Sequence, residues 1–216
     1  MTSIPDSAFR RHDESPDEEF YRQPRFVNHI DDAAIAAVTN LYRLHFPADG
    51  SILDLMSSWV SHLPPEACYE RVVGVGMNGQ ELAENPFLDE YVVQNLNRDA
   101  HLPFGDAEFD GAAICVSVQY LTRPLEVLCE VGRVLRPGAP LVITFSDRCF
   151  PTKAIACWRL LDDEGHLCLI RHYLEEAGNW RIVACGNARR CCSLEAAAGD
   201  PLYAVIARRG ADSQES

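Results

Sequence analysis

Apolar residues recur at helical spacing behind Asp31, at Ile35, Val38, Leu41, Tyr42 and Leu44, with Asp32 in the first turn. Gly50 interrupts that pattern, and 51–55 (SILDL) reads as a short buried strand. Further strands are predicted at 71–75 (RVVGV), 90–95 (EYVVQN), 111–118 (GAAICVSV), 141–145 (LVITF), 180–185 and 202–207 (LYAVIA). Several of these runs lack polar alternation, which belongs to strands covered on both faces, as in a parallel sheet. An amphipathic helix over 125–135 ends at Arg136-Pro137-Gly138, and another over 166–177 is closed by Gly178. Seven strands with interleaved helices predict an α/β fold. Its core is a doubly wound, mostly parallel, Rossmann-like sheet with helices on both faces, and ligands of such sheets sit beyond the strands' carboxyl ends.

The flanks read differently. Residues 1–19 carry Asp6, Asp13, Glu14, Asp17, Glu18 and Glu19 among Ser and Pro, the composition of a solvated, mobile arm. Residues 210–216 read as a disordered tail, which leaves 20–209 as a single domain. The chain has 216 residues, and 19 Lys and Arg against 32 Asp and Glu give a net charge of −13. So acidic a surface repels nucleic-acid backbones and anionic membranes, so neither is expected as a partner. No apolar run approaches the roughly 20 residues of a membrane helix. The polar start without a signal-peptide core, and nine cysteines without a CxxC pair, predict a cytoplasmic protein with reduced thiols. Cys185, Cys191 and Cys192 are close in sequence but lack histidines at zinc spacing, so no metal site is expected.

Two patterns carry candidate chemistry. Gly74-Val75-Gly76-Met77-Asn78-Gly79 spells GxGxxG after a strand, and Asp99 follows about 20 residues later, where a dinucleotide site places its ribose acid. This supports an NAD(P)- or FAD-binding alternative. Against it, the helix that should follow has room only from Gln80 to about Glu84 before Asn85-Pro86, and a complete strand precedes the motif. The longer pattern starts with Asp99-Ala100-His101-Leu102-Pro103-Phe104 and Phe109-Asp110 before the fourth strand. It continues with Glu130 and Arg133-Val134-Leu135-Arg136-Pro137-Gly138 before the fifth.

On these residues the chain resembles the class I S-adenosylmethionine-dependent methyltransferases, particularly the type 11 group, over roughly 50–208. The resemblance implies a methyltransferase fold, S-adenosyl-L-methionine as cofactor and methyl transfer to a small molecule. It places the cofactor against Asp54, Met56, Ser57 and Ser58 after the first strand, and against Gly76, Met77 and Asn78 after the second. Asp99 and Ala100 fall at the adenine, and Ser117 and Val118 fall at the end of the fourth strand. Two positions depart from the family's pattern: Met56-Ser57-Ser58-Trp59 stands in place of a glycine-rich turn, and Gly76 stands in place of the acid that accepts the ribose hydroxyls. Exchanging two charged acceptances for one neutral bond costs about 2–4 kcal/mol. These departures motivate a second reading, a catalytically inactive scaffold or binding protein on the same fold.

Methyl transfer is an in-line displacement, so alignment supplies most of the acceleration. A base is needed only for a protonated acceptor, and Tyr120, His29 and Tyr21 are the catalytic candidates. The family's N-terminal region often forms a lid, which places a lid and helix at 20–49 with Tyr21 and Arg25 as lid residues. The segment 147–163 is apolar and aromatic and is expected to supply a substrate wall around Phe150 and Trp158.

Overall fold

Asp31 caps the first long helix by accepting a hydrogen bond from the Ala34 N–H at 2.8 Å. That helix, α2 (Asp32–His45), follows a single turn, α1 (Asp17–Phe20). The structure, a computed structural model, describes residues 4–188 and 199–211. The sheet strands are β1 (Ser51–Ser57), β2 (Arg71–Gly76), β3 (Glu90–Val93), β4 (Gly111–Cys115), β5 (Pro140–Ser146), β6 (Trp180–Asn187) and β7 (Leu202–Arg209). The helices between them are α3 (Gly79–Ala83), α4 (Pro124–Val134), α5 (Ala156–Leu160) and α6 (Asp163–Ala177).

The strands lie in the order β3-β2-β1-β4-β5-β7-β6, parallel except for β7, which runs against both neighbours. Alternate residues of β1 explain the missing polar alternation. Leu53 and Leu55 pack with Leu128, Val131 and Ile170 on one face, while Ile52 packs with Val38 and Leu41 on the other. The order reverses between β1 and β4, and a crevice opens beyond their carboxyl ends at that switch point.

Predicted strands differ from the structure at the carboxyl ends that face this crevice, the third stopping at Val93 rather than Asn95. The fourth strand stops at Cys115 rather than Val118, because Val116 adopts φ of 42° and turns the chain into a short 3-10 segment over Val118–Tyr120. The first strand runs on to Ser57 through an irregularity at Met56, whose φ is 55°.

The acidic arm is the larger correction. Its described part is docked on the body rather than solvated. The Ala156 N–H donates to the Arg10 carbonyl at 2.7 Å and the Asp13 N–H donates to the Thr152 carbonyl at 2.9 Å. Lys153, with no exposed surface, donates to the Ser15 carbonyl at 2.7 Å and ion-pairs with Asp13 at 3.2 Å and Asp17 at 3.3 Å. Asp17 is 5% exposed and pairs with Arg11 at 2.6 Å. The arm's acids meet buried cations contributed by the body and by the arm itself, and composition alone cannot show that pairing. Most of the predicted tail, and Cys191 and Cys192, lie outside the described residues. Among the described residues no helix is long and apolar enough to cross a membrane.

Candidate active site

A cavity of about 400 Å³ occupies the switch-point crevice, floored by the ends of β1, β2 and β4 and roofed by the segment 21–30. Its wall is formed more by carbon than by polar atoms, and its size suits a small-molecule ligand.

On the floor, Asp54 is 4% exposed. Ser57 and Ser61 both donate to the same oxygen of its carboxylate at 2.6 Å. Burial outweighs those bonds and pushes the Asp54 pKa up to about 6. Met56 lines the cavity with its backbone in the left-handed conformation that the glycine-rich turn of the resemblance would supply. Gly76 sits so close to β1 that a Cβ there would collide with the Ser57 carbonyl oxygen. The acid missing from this position therefore has no room. Ser117, 8% exposed, also lines the cavity, and its buried hydroxyl has no hydrogen-bond partner among the described residues.

The roof is fastened to the floor through side chains of the loops after β1 and β2. Asn78 caps α3 by accepting from Gln80 and Glu81 N–H groups, and its amide donates to the Tyr21 carbonyl at 2.8 Å. Glu81 accepts from the Arg25 N–H at 2.7 Å and from the Ser58 hydroxyl at 2.6 Å. Trp59 donates to the Val27 carbonyl at 3.1 Å. Asn97 joins the arm to the wall, donating to Asp17 at 3.0 Å and to the Tyr120 carbonyl at 2.9 Å.

The structure brings together Asp54, Met56, Ser57, Ser58, Gly76, Met77, Asn78 and Ser117, with Tyr21, His29 and Tyr120 on the same cavity. It does not bring in Asp99, Ala100 or Val118. Asp99 is exposed and accepts from the His101 N–H at 3.0 Å, because a tight turn closed on the Asn95 carbonyl rotates it outward. That turn presents Asn95, Leu96 and Asn97 to the cavity instead. Ala100 and Val118 are buried in the core on the α4 side of the sheet. Phe150 lines the cavity as expected of a substrate wall, whereas Trp158 is buried against Phe145 and stacked on His166. Arg11 and Asp17 were missed as lining residues because they belong to the docked arm.

The three candidate bases separate by environment. Burial pushes the Tyr120 pKa up to about 12, although its hydroxyl oxygen accepts from the Phe150 N–H at 2.8 Å. Burial raises the Tyr21 pKa as well, with Tyr120 adding to the effect. Both phenols stay protonated at neutral pH. His29, itself a roof residue that keeps an exposed face, moves the other way: partial desolvation lowers its pKa, which favours the neutral imidazole that can accept a proton. Its ring stands edge-on to Phe150, with centroids 5.3 Å apart.

Comparison with known proteins agrees with this architecture. Residues 57–143 match the type 11 methyltransferase domain family. An O-methyltransferase of Penicillium expansum, cnsE, is 48% identical over 42 residues, which cover 19% of this chain and 15% of that protein's length. Among solved structures, an S-adenosylmethionine-dependent methyltransferase from Mesorhizobium loti superposes with a TM-score of 0.55 at 17% identity, covering 80% of this chain and 98% of the other. The [4+2]-cyclase SpnF superposes with a TM-score of 0.58 at 15% identity, covering 83% and 81%. No comparison favours the dinucleotide-binding alternative, and α3, at five residues, is too short for the helix that motif requires. Residues 57–143 thus match a methyltransferase domain of the type 11 kind, for which S-adenosylmethionine is the implied cofactor, and the sheet has the Rossmann-like methyltransferase fold.

Proposed function

We propose that the protein transfers a methyl group from S-adenosylmethionine to a hydroxyl of a small, largely apolar molecule bound between the cavity floor and its roof. The observation that carries this reading is the pairing, on one cavity, of a buried carboxylate at Asp54 with a buried, unpartnered hydroxyl at Ser117. Unpaired buried hydroxyls are uncommon and costly, so this one fits a wall that a polar ligand completes. When bound, the cofactor supplies an electrophilic methyl group.

The chain's own residues do the rest. Asp54 presents negative charge toward a ligand ammonium, and Ser57 and Ser61 hold that carboxylate in place. Phe150 and His29, whose rings stand edge-on to each other, wall the space offered to the acceptor, and the roof pinned at Tyr21 and Val27 covers it. The neutral His29 imidazole would take the proton of the acceptor hydroxyl, while the cofactor would supply the methyl group by breaking its carbon–sulfur bond and leave as S-adenosylhomocysteine. The short match to an O-methyltransferase supports oxygen as the acceptor atom.

Isothermal calorimetry with S-adenosylhomocysteine tests the reading. Binding to the wild-type chain, weakened about 5- to 10-fold in Ser117→Ala by the loss of one hydrogen bond, is the expected result. Absence of heat at millimolar ligand with folded protein refutes it and leaves a binding scaffold on a methyltransferase fold.

A further inference from the structure

Of the arginines that line the cavity, Arg11 and Arg148 pair with Asp17 and Asp200, and Arg25 pairs with no acid among the described residues. It lines the cavity, half-buried, with its charged carbon 4.6 Å from the Phe20 ring centre, 5.4 Å from Phe150 and 5.8 Å from Tyr21. One of its terminal nitrogens, Nη2, donates to the Phe20 carbonyl at 2.9 Å. The aromatic rings hold the guanidinium in place, and no hydrogen bond to a described residue occupies Nε or Nη1. Nη2 carries a second proton, so one of the two guanidinium forks that include it, Nε/Nη2 or Nη1/Nη2, is left to receive a planar anion through two parallel bonds.

A second cation on the same cavity points the same way. Arg11 pairs with Asp17 through Nη1, but its buried Nε, 4.0 Å from the Glu14 carboxylate, has no hydrogen-bond partner. Asp17 meets the charge of Arg11, yet the Nε of Arg11 and the guanidinium of Arg25 both leave donors open on this cavity, which a ligand's anionic acceptor would satisfy.

We infer that Arg25 binds a carboxylate of a molecule held in this cavity. The inference builds on the methyl-transfer reading and extends it. The carboxylate belongs either to the amino-acid end of the cofactor or to the methyl acceptor, which is then an acid with an apolar body. The test is calorimetry on the full chain and on Arg25→Gln, with thermal melting as the folding control.

Three probes separate the sources: S-adenosylhomocysteine; methylthioadenosine, which lacks the amino-acid end; and 4-hydroxybenzoate with its neutral methyl ester. Cofactor recognition predicts that Arg25→Gln weakens S-adenosylhomocysteine at least 10-fold and leaves methylthioadenosine unchanged. Acceptor recognition predicts unchanged S-adenosylhomocysteine binding, with 4-hydroxybenzoate bound by the wild type and lost in the variant while the ester binds both equally. Equal weakening of every probe, or no change in any, overturns the inference and leaves Arg25 as a packing residue of the roof. Failure of the wild type to bind S-adenosylhomocysteine refutes the methyl-transfer reading alone, and the 4-hydroxybenzoate arm, run without it, still decides the role of Arg25.

Discussion

Replacing Asp54 by Asn is expected to strengthen the fold and weaken the site. The carboxylate is buried beneath the cavity, and two serine hydroxyls donate to one of its oxygens. Its pKa still rises from 3.8 to about 6, so desolvation of the anion outweighs both bonds. Below pH 3.8 the group is protonated in the folded and unfolded chain alike and contributes no pH dependence. Between 3.8 and about 6 the native state keeps a proton that the unfolded chain has released, so stability falls as pH rises. Above that window the full penalty of the buried anion, about 3 kcal/mol, is present. Asn carries no such charge and is nearly isosteric, and the serine hydroxyls are free to rotate toward it. Urea denaturation of both proteins therefore gives a stability difference that moves in favour of Asn by about 2 kcal/mol between pH 4.5 and pH 8. S-adenosylhomocysteine binding at pH 8 moves the opposite way and weakens. A stability difference that stays constant across this range refutes the assignment of a strained, ionised Asp54.

Gly76→Ala tests the closeness of β1 and β2, because the added methyl meets the Ser57 carbonyl oxygen; a loss of about 2 kcal/mol or more is expected in urea denaturation. The same collision means that Gly76→Asp will not create a ribose acid without moving β1. Lys153→Met removes the enclosed cation that pairs with Asp13 and Asp17. The uncompensated acids are expected to cost about 3 kcal/mol and to expose the arm around Ser15 to limited proteolysis, whereas the wild type resists it.

Much of the fold was legible because binary patterning and punctuation agree along the body. The apolar runs of β1, β4 and β5 are buried on both faces, and Asp31, Pro124 and Gly178 bound helices where their conformational preferences place them. What was not legible follows from contacts distant in sequence. The acidic arm reads as solvated until Lys153, about 140 residues away, is seen enclosed by Asp13, Ser15 and Asp17. Asp99 matches a motif, yet the turn on Asn95 decides where its carboxylate points. A motif specifies residue types in order, whereas the direction of a side chain is set by the hydrogen bonds of its neighbours.

The glycines of 74–79 make the same point from the opposite side. They spell a phosphate-binding loop, but the first two, Gly74 and Gly76, are explained by packing along β2. A Cβ at Gly74 would strike the Leu88 side chain, and one at Gly76 would strike the β1 backbone. The close approach at Gly76 is produced by the irregularity at Met56, where a non-glycine residue holds a left-handed conformation. The two departures from the family's pattern are therefore one structural event. Met56 drives the end of β1 toward β2, and the crowding that results leaves space for nothing larger than glycine at position 76. The polar side chains beside this crowded edge, Ser58, Asn78 and Glu81, are bonded to one another and to the roof at Tyr21 and Arg25. Under the methyl-transfer reading, a ligand that bonds to these side chains would exchange roof contacts for its own, which would couple its affinity to roof opening.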